Sequence, residues 1–251
     1  MNKLLGLLAL SCLIVSCKKE KHQTPVLKNY LIQKTYSNIV ERYFYDAQNR
    51  FSGMEYIDPS FTQTTTVTSH DANSNPTQYF IRTTGTTRVS KYDATYDAQN
   101  RPLSIVFSDS TGPATYRLLT TYTFIYTGNK QTRTTLTHST GTTSTLEYTY
   151  TPEGNFMDSK FTNTSGVVTS TSSWSDYDSK YSPDGLLPHI LNGGMLQSKN
   201  NQTKETYTNL ATGSIRTYTA THLYNSDNYT TQTTYSGTSS PLVYKYTYEK
   251  R

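Results

Sequence analysis

The sequence predicts an all-β fold: an antiparallel up-and-down meander of β-hairpin repeats that forms one curled or barrel-like sheet. Three observations predict it. The stretch Tyr-Asp-Ala-Gln-Asn-Arg stands at residues 45–50 and again at 96–101. Between such motifs, aromatic and aliphatic residues alternate at period two with Thr and charge. The chain also holds 46 Thr and 23 Tyr in 251 residues, side chains that favour strands. Only 33% of residues are hydrophobic, so the core must be largely tyrosine. Each buried Tyr removes roughly 150–250 Å² from water, which makes a core attainable with few aliphatics. Charged residues are 16%, and the polarity comes from Thr, Ser and Asn rather than from the charge density of a disordered chain.

The chain opens with a short basic start, Met1-Asn2-Lys3, and an apolar run from Leu4 to Ser16 that is too short to span a bilayer. The run ends in Leu13-Ile14-Val15-Ser16-Cys17. This resembles a bacterial lipobox, an aliphatic three residues before a cysteine that becomes acylated and opens the mature chain. The reading is a lipoprotein signal peptide at 1–16, a lipid-anchored tether at 17–28 with lipid attached at Cys17, and a single repeat domain at 29–251. Cys12 then leaves with the signal, and the mature chain has neither disulfide nor thiol chemistry. The net charge of +5 is mild. Its Lys and Arg residues are scattered, apart from Lys18-Lys19-Glu20-Lys21, which sit where acidic headgroups would be. No basic patch argues for nucleic acid.

The repeat is wider than its two identical copies. Anchors stand at Tyr45, His70, Tyr96, Tyr126, Tyr150, Tyr181 and Tyr224, with a half copy at Tyr248. A spacing of about 25 residues holds two strands and two turns, so each repeat is one hairpin with its connection. After the tyrosine comes a residue able to accept a backbone hydrogen bond two residues on: Asp46, Asp97, Thr151, Ser182 or Asn225. Four residues after it stands Asn49, Asn100, Gly154, Gly185 or Asn228, types that tolerate φ > 0 as a short hairpin loop demands. Three spellings thus meet one backbone requirement.

The strands alternate accordingly. Tyr116, Leu118, Tyr122, Phe124 and Tyr126 share one face, and Arg117, Thr121 and Thr123 the other. Leu146, Tyr148 and Tyr150 oppose Thr145, Glu147 and Thr149, and Tyr244, Tyr246 and Tyr248 oppose Lys245, Thr247 and Glu249. This is the pattern of a sheet wetted on one side. A transmembrane barrel also alternates, but its lipid-facing side should be apolar; here that side carries Thr and charge. One interval departs from the period. Leu186, Leu187, Ile190, Leu191 and Leu196 form an aliphatic cluster, read as a short helix or irregular insertion near 184–200 that covers an open end or edge of the sheet.

Together, the lipobox and the hairpin motifs from Tyr45 to Tyr229 resemble the YD-repeat (Rhs-type) family. More closely, the chain is similar to Bacteroidota lipoproteins built of such repeats, in a domain-of-unknown-function family described as having a porin-like β fold. The segment Leu196 to Asn201 adds to the likeness. That resemblance implies a place in the cell envelope and brings no activity, cofactor or catalytic residue with it.

Catalytic constellations are poor. The histidines form no HxH or HxxxH pair, and His70 occupies a tyrosine position of the repeat. No phosphate-binding glycine loop, EF-hand spacing or nucleophile elbow occurs. Asp176, Asp178 and Asp184 gather near Trp174, but such aspartates usually form turns. The expectation is therefore a monomeric, non-enzymatic protein without cofactor or metal. It would be held to the outer membrane by lipid, on either face, and serve a structural or interaction role. The alternative is a glycan-binding accessory lipoprotein in which Trp174 stacks on sugar. The expected partners are the membrane, through the lipid, and polysaccharide or another envelope protein.

Overall fold

The computed structural model describes residues 28–112, 115–188, 191, 198–237 and 240–251. Cys17, the signal and most of the tether lie outside the described residues, as do Ile190 and Leu196 of the aliphatic cluster. Sixteen antiparallel strands follow one another: β1 Asn29–Tyr36, β2 Ile39–Tyr45, β3 Phe51–Asp58, β4 Phe61–His70, β5 Pro76–Thr83, β6 Val89–Tyr96, β7 Pro102–Gly112, β8 Thr115–Thr127, β9 Lys130–His138, β10 Thr143–Tyr150, β11 Phe156–Thr162, β12 Val168–Tyr181, β13 Asn200–Asn209, β14 Ser214–Tyr224, β15 Thr230–Ser236 and β16 Leu242–Lys250. Each pairs with its sequence neighbours. β1 then pairs with β16, from Asn29↔Lys250 to Tyr36↔Tyr244, and closes the sheet into an up-and-down barrel. Closure removes every sheet edge.

An antiparallel meander brings every second turn to the same end, so a motif recurring every two strands falls on one rim. The connections β2–β3, β4–β5, β6–β7, β10–β11 and β14–β15 all lie there. Lys28 and Arg251 close the same rim by exchanging backbone hydrogen bonds at 3.0 and 3.1 Å. Each turn is the same Asx or ST structure. At the first copy the Asp46 carboxylate accepts from the Gln48 and Arg50 amides at 2.9 Å, while Asn49 takes φ 60°. Asp97 and Asn100 repeat it, with Asn100 at φ 63°. Gly154 and Asn228 hold the same place at φ 94° and 65°.

The aromatic face points inward. Tyr43, Tyr79, Phe124 and Tyr148 are buried, and Tyr92, Tyr96, Tyr122 and Tyr126 pack against the cluster of Tyr79, Ala94, Ile105 and Phe124. The outer face carries Thr and ion pairs. Glu147, which alternates with the buried Tyr148, meets Arg133 on β9 and Lys160 on β11, each at 2.6 Å. Arg42 pairs with Glu55 at 3.6 Å. Exposed apolar side chains such as Phe44, Ile125 and Leu223 stand among these polar residues.

Of the two alternatives for the insertion after β12 the open end holds: no sheet edge exists, and the insertion enters the barrel. Its 3-10 turn Pro183–Leu186 brings Leu187 against Leu31, Tyr43 and Phe51, with Leu186 and Leu191 alongside. The structure departs from the sequence reading at Gly185 and Leu118. Gly185 therefore sits inside that 3-10 turn and closes no hairpin, since the chain dives inward instead of reversing. Leu118 leaves the aromatic face and is 45% exposed. A register shift between Phe107 and Ser108 against β8 turns the start of that strand over, and a one-residue slip exchanges faces.

Candidate functional site

The turn rim has a rule that the sequence motif alone does not show. The tyrosine that ends a strand donates its hydroxyl to the carbonyl opening the preceding strand. Tyr96 reaches Pro76 at 2.8 Å, Tyr126 reaches Pro102 at 2.7 Å, Tyr150 reaches Gln131 at 2.7 Å, and Tyr248 reaches Thr230 at 2.7 Å. Tyr45 reaches Leu31 at 3.1 Å. His70, in a tyrosine position, does the same through Nε2 to Phe51 at 2.8 Å. These carbonyls sit where a bulge breaks the ladder, so the side chain supplies the missing donor. The hydroxyls of these rim tyrosines are thus committed to the backbone. Adjacent turns are also joined: Asn75 Nδ2 donates to Asn100 Oδ1 at 3.2 Å, and Arg101 lies 4.3 Å over the Tyr126 ring while donating to the Gly128 carbonyl.

The rule fails at β12 and β14. Tyr224 donates instead to the Asp178 carboxylate, which also receives the Asn201 amide side chain at 3.1 Å. Tyr181 is 47% exposed and stacks on Tyr229. Here β12 is kinked. Asp176 takes φ 57°, and the pairing with β13 skips between Tyr177 and Tyr181. Asp176 and Asp178 therefore belong to this kink and its bracing, as turn formers do.

Behind the kink lies an interior chamber. Two adjoining recesses of about 250 and 330 Å³ share Asp184, Glu205, Tyr235 and Tyr246. The first is walled by Tyr148 and Trp174, the second by Lys34, Tyr218 and Tyr244. Local sequence explains the lining. Trp174, Glu205 and Tyr218 are cross-strand partners on β12, β13 and β14, so they share the inner face, and Asp184 is carried in by the insertion. Trp174 also lines an open groove of about 730 Å³ outside the kink, with Asp176, Tyr177 and Lys199, and so stands between chamber and solvent.

The electrostatics of the chamber are unusual. Burial pushes the Asp184 carboxyl above its ordinary range, Lys34 opposing and Glu41 adding to the shift. Burial raises Glu205 too, and the Trp174 indole N–H, facing its carboxylate, partly offsets the rise. Lys34 is held by Glu41 at 3.8 Å, and Glu41 also accepts the Tyr43 hydroxyl. Burial moves the Tyr148 hydroxyl up to about 12, with Thr134 pulling it back. Tyr148 Oη is nonetheless a buried polar atom with no hydrogen-bond partner among the described residues.

The structure brings Trp174 into this chamber and leaves the motif residues Tyr45, Asp46, Asn49, Tyr96, Asp97, Asn100, Tyr150, Gly154, Tyr224 and Asn228 on the rim. Sequence reasoning missed Glu205. A lone acid in "NNQTKETYTN" carries no motif, and only its place opposite Trp174 reveals it.

The fold defines the class: a closed, up-and-down antiparallel β-barrel. In keeping with this, the chain is similar to a porin-like protein from Bacteroides uniformis at 17% identity and a TM-score of 0.57, over 88% of this chain and 95% of that one. A porin-like protein from Bacteroides vulgatus aligns over 88% of this chain and 99% of that one at 11% identity and a TM-score of 0.42. No family model matches the chain, and no curated protein does.

Proposed function

We propose that the chain is a lipid-anchored cell-envelope protein of the YD-repeat lipoprotein kind, held to the outer membrane through Cys17, with a non-enzymatic structural or interaction role and not that of a pore. One observation carries this reading: the polarity of the wall. A barrel that spans lipid turns an apolar band outward and keeps its lumen polar. This barrel turns Arg133, Glu147 and Lys160 outward at mid-strand and lines its lumen with tyrosine and an aliphatic insertion. Arg or Lys on a lipid face near the bilayer midplane costs about 2–4 kcal/mol each. Membrane attachment then falls to the lipid.

Cys17→Ser tests it. The variant should leave the membrane fraction after a carbonate wash, and the unaltered protein should give no conductance in planar bilayers. Retention of the Cys17→Ser variant, together with ion conduction, would establish a transmembrane barrel instead. Protease added to intact cells decides between the surface and the periplasmic face.

A second reading is favoured by Trp174. Its place between the outer groove and the chamber suits a glycan-binding accessory protein, since indole faces stack on sugars. Calorimetry against envelope polysaccharides, repeated with Trp174→Ala, tests it; binding that survives the substitution removes this reading.

A further inference from the structure

We propose that the interior chamber binds a small organic cation, an ammonium-bearing molecule no larger than the two recesses together. The inference depends on the chamber being a ligand site and not on the lipid anchor, so failure of the Cys17→Ser test leaves it standing.

Two carboxyls with different origins converge here. Asp184 comes from the insertion and Glu205 from β13, and both line both recesses. Among the described residues neither is in an ion pair. Lys34, the basic side chain beside them, is already engaged by Glu41. Burying a carboxylate without a counter-charge is costly, and Lys34 compensates at most one of the three acids around it. A positive guest would balance the excess. A neutral guest would not.

The walls agree with this. Trp174, Tyr218, Tyr235 and Tyr246 line the two recesses, and ring faces attract ammonium groups, more strongly when desolvated. The independent pointer is Tyr148. It is 6% exposed and lines the first recess, yet among the described residues its hydroxyl has no hydrogen-bond partner. A polar group left so is costly unless something occupies the chamber. A ligand that carries a hydroxyl or carbonyl beside its ammonium would satisfy both features. Entry is through the kinked end of β12, where Trp174 divides the chamber from the groove.

The test uses the chain's single tryptophan. Because Trp174 lines the chamber, its emission reports binding directly in the full-length protein. Choline and glucosamine are titrated beside their uncharged counterparts, dimethylbutanol and glucose. The cations should give a saturable emission change with a dissociation constant of about 1 mM or tighter. The neutral molecules should bind at least about tenfold more weakly. Glu205→Gln and Asp184→Asn should each weaken cation binding by about tenfold or more, while Glu55→Gln on the outer wall should leave it unchanged. Equal binding of the neutral molecules overturns the proposal, as does the absence of saturation with either cation. Should a chamber variant fail to fold, the charged-against-neutral comparison on the unaltered chain still decides.

Discussion

Replacing Asn100 tests the backbone logic of the rim most directly. Asn100 sits at φ 63°, donates its N–H to the Asp97 carbonyl at 3.0 Å and accepts from Asn75 at 3.2 Å through its side chain. Asn tolerates this left-handed region; a β-branched residue does not, at a cost of about 1–3 kcal/mol. Losing the exposed Asn75 contact adds about 0.5 kcal/mol, the low end for a net hydrogen bond. Asn100→Val should therefore destabilise by about 1.5–3.5 kcal/mol. For a chain of this size each kcal/mol lowers Tm by roughly 2–4 °C, so the expected drop is about 3–14 °C. Asn100→Gly loses the same side-chain contact and gains unfolded-state entropy but sheds the residual strain, and should fall close to the unaltered protein. Thermal unfolding followed by circular dichroism separates the two. Asn49, at φ 60° with no such neighbour contact, should show the same ordering with a smaller total. Equal melting temperatures for Gly and Val at either site would refute the φ argument and reopen the motif as a functional one.

Two further perturbations follow. Tyr126→Phe removes the hydroxyl that serves the Pro102 carbonyl and keeps the ring under Arg101; a loss of about 0.5–1.5 kcal/mol is expected, and an unchanged denaturant midpoint would count against the rim rule. Asp184→Asn should stabilise the protein near neutral pH. Burial raises the native carboxyl above the ordinary 3.8, so between that value and the native pKa the folded chain holds more protons than the unfolded one. Stability then falls as pH rises through this window, and the Asn variant avoids the fall. Its advantage should vanish below pH 3.8, as read from urea midpoints taken across the pH range.

Much of the architecture is legible because it is local. The identity of Asn49 and Asn100 at φ > 0, and the alternation of Tyr148 with Glu147, are set within a few residues of sequence. What stays hidden is set by closure. A curled sheet and a closed barrel share every hairpin, and only the pairing of Asn29 with Lys250 separates them. The insertion was legible as aliphatic, yet its destination depends on whether an open edge exists. Leu118 is misplaced by a bulge opposite Ser108, which no periodicity announces. Trp174 stands out as the single tryptophan, but its partner Glu205 emerges only from the β12–β13 register.

An outer wall turned to water, as proposed, would also account for the abundance of tyrosine in this chain. A sixteen-stranded barrel encloses more space than side chains fill across the middle; barrels of that size in membranes leave the gap to water. When the outer wall is hydrated instead, the inner wall must supply the buried apolar surface, and it needs side chains long enough to reach inward. Each must also serve the carbonyls exposed where the rim bulges break the ladder. Tyrosine does both with one side chain: its ring adds to the clusters around Ile105 and Leu31, and its hydroxyl reaches the opening carbonyl of the preceding strand. Even so the lumen is not filled. The insertion closes the part lined by Leu31, Tyr43 and Phe51, and the space between Trp174, Asp184 and Tyr246 remains. Tyrosine and the insertion account for the two apolar clusters of the interior without reference to function. The chamber, with two carboxyls brought in from separate elements and one hydroxyl without a partner among the described residues, is the part of the interior that packing alone does not explain.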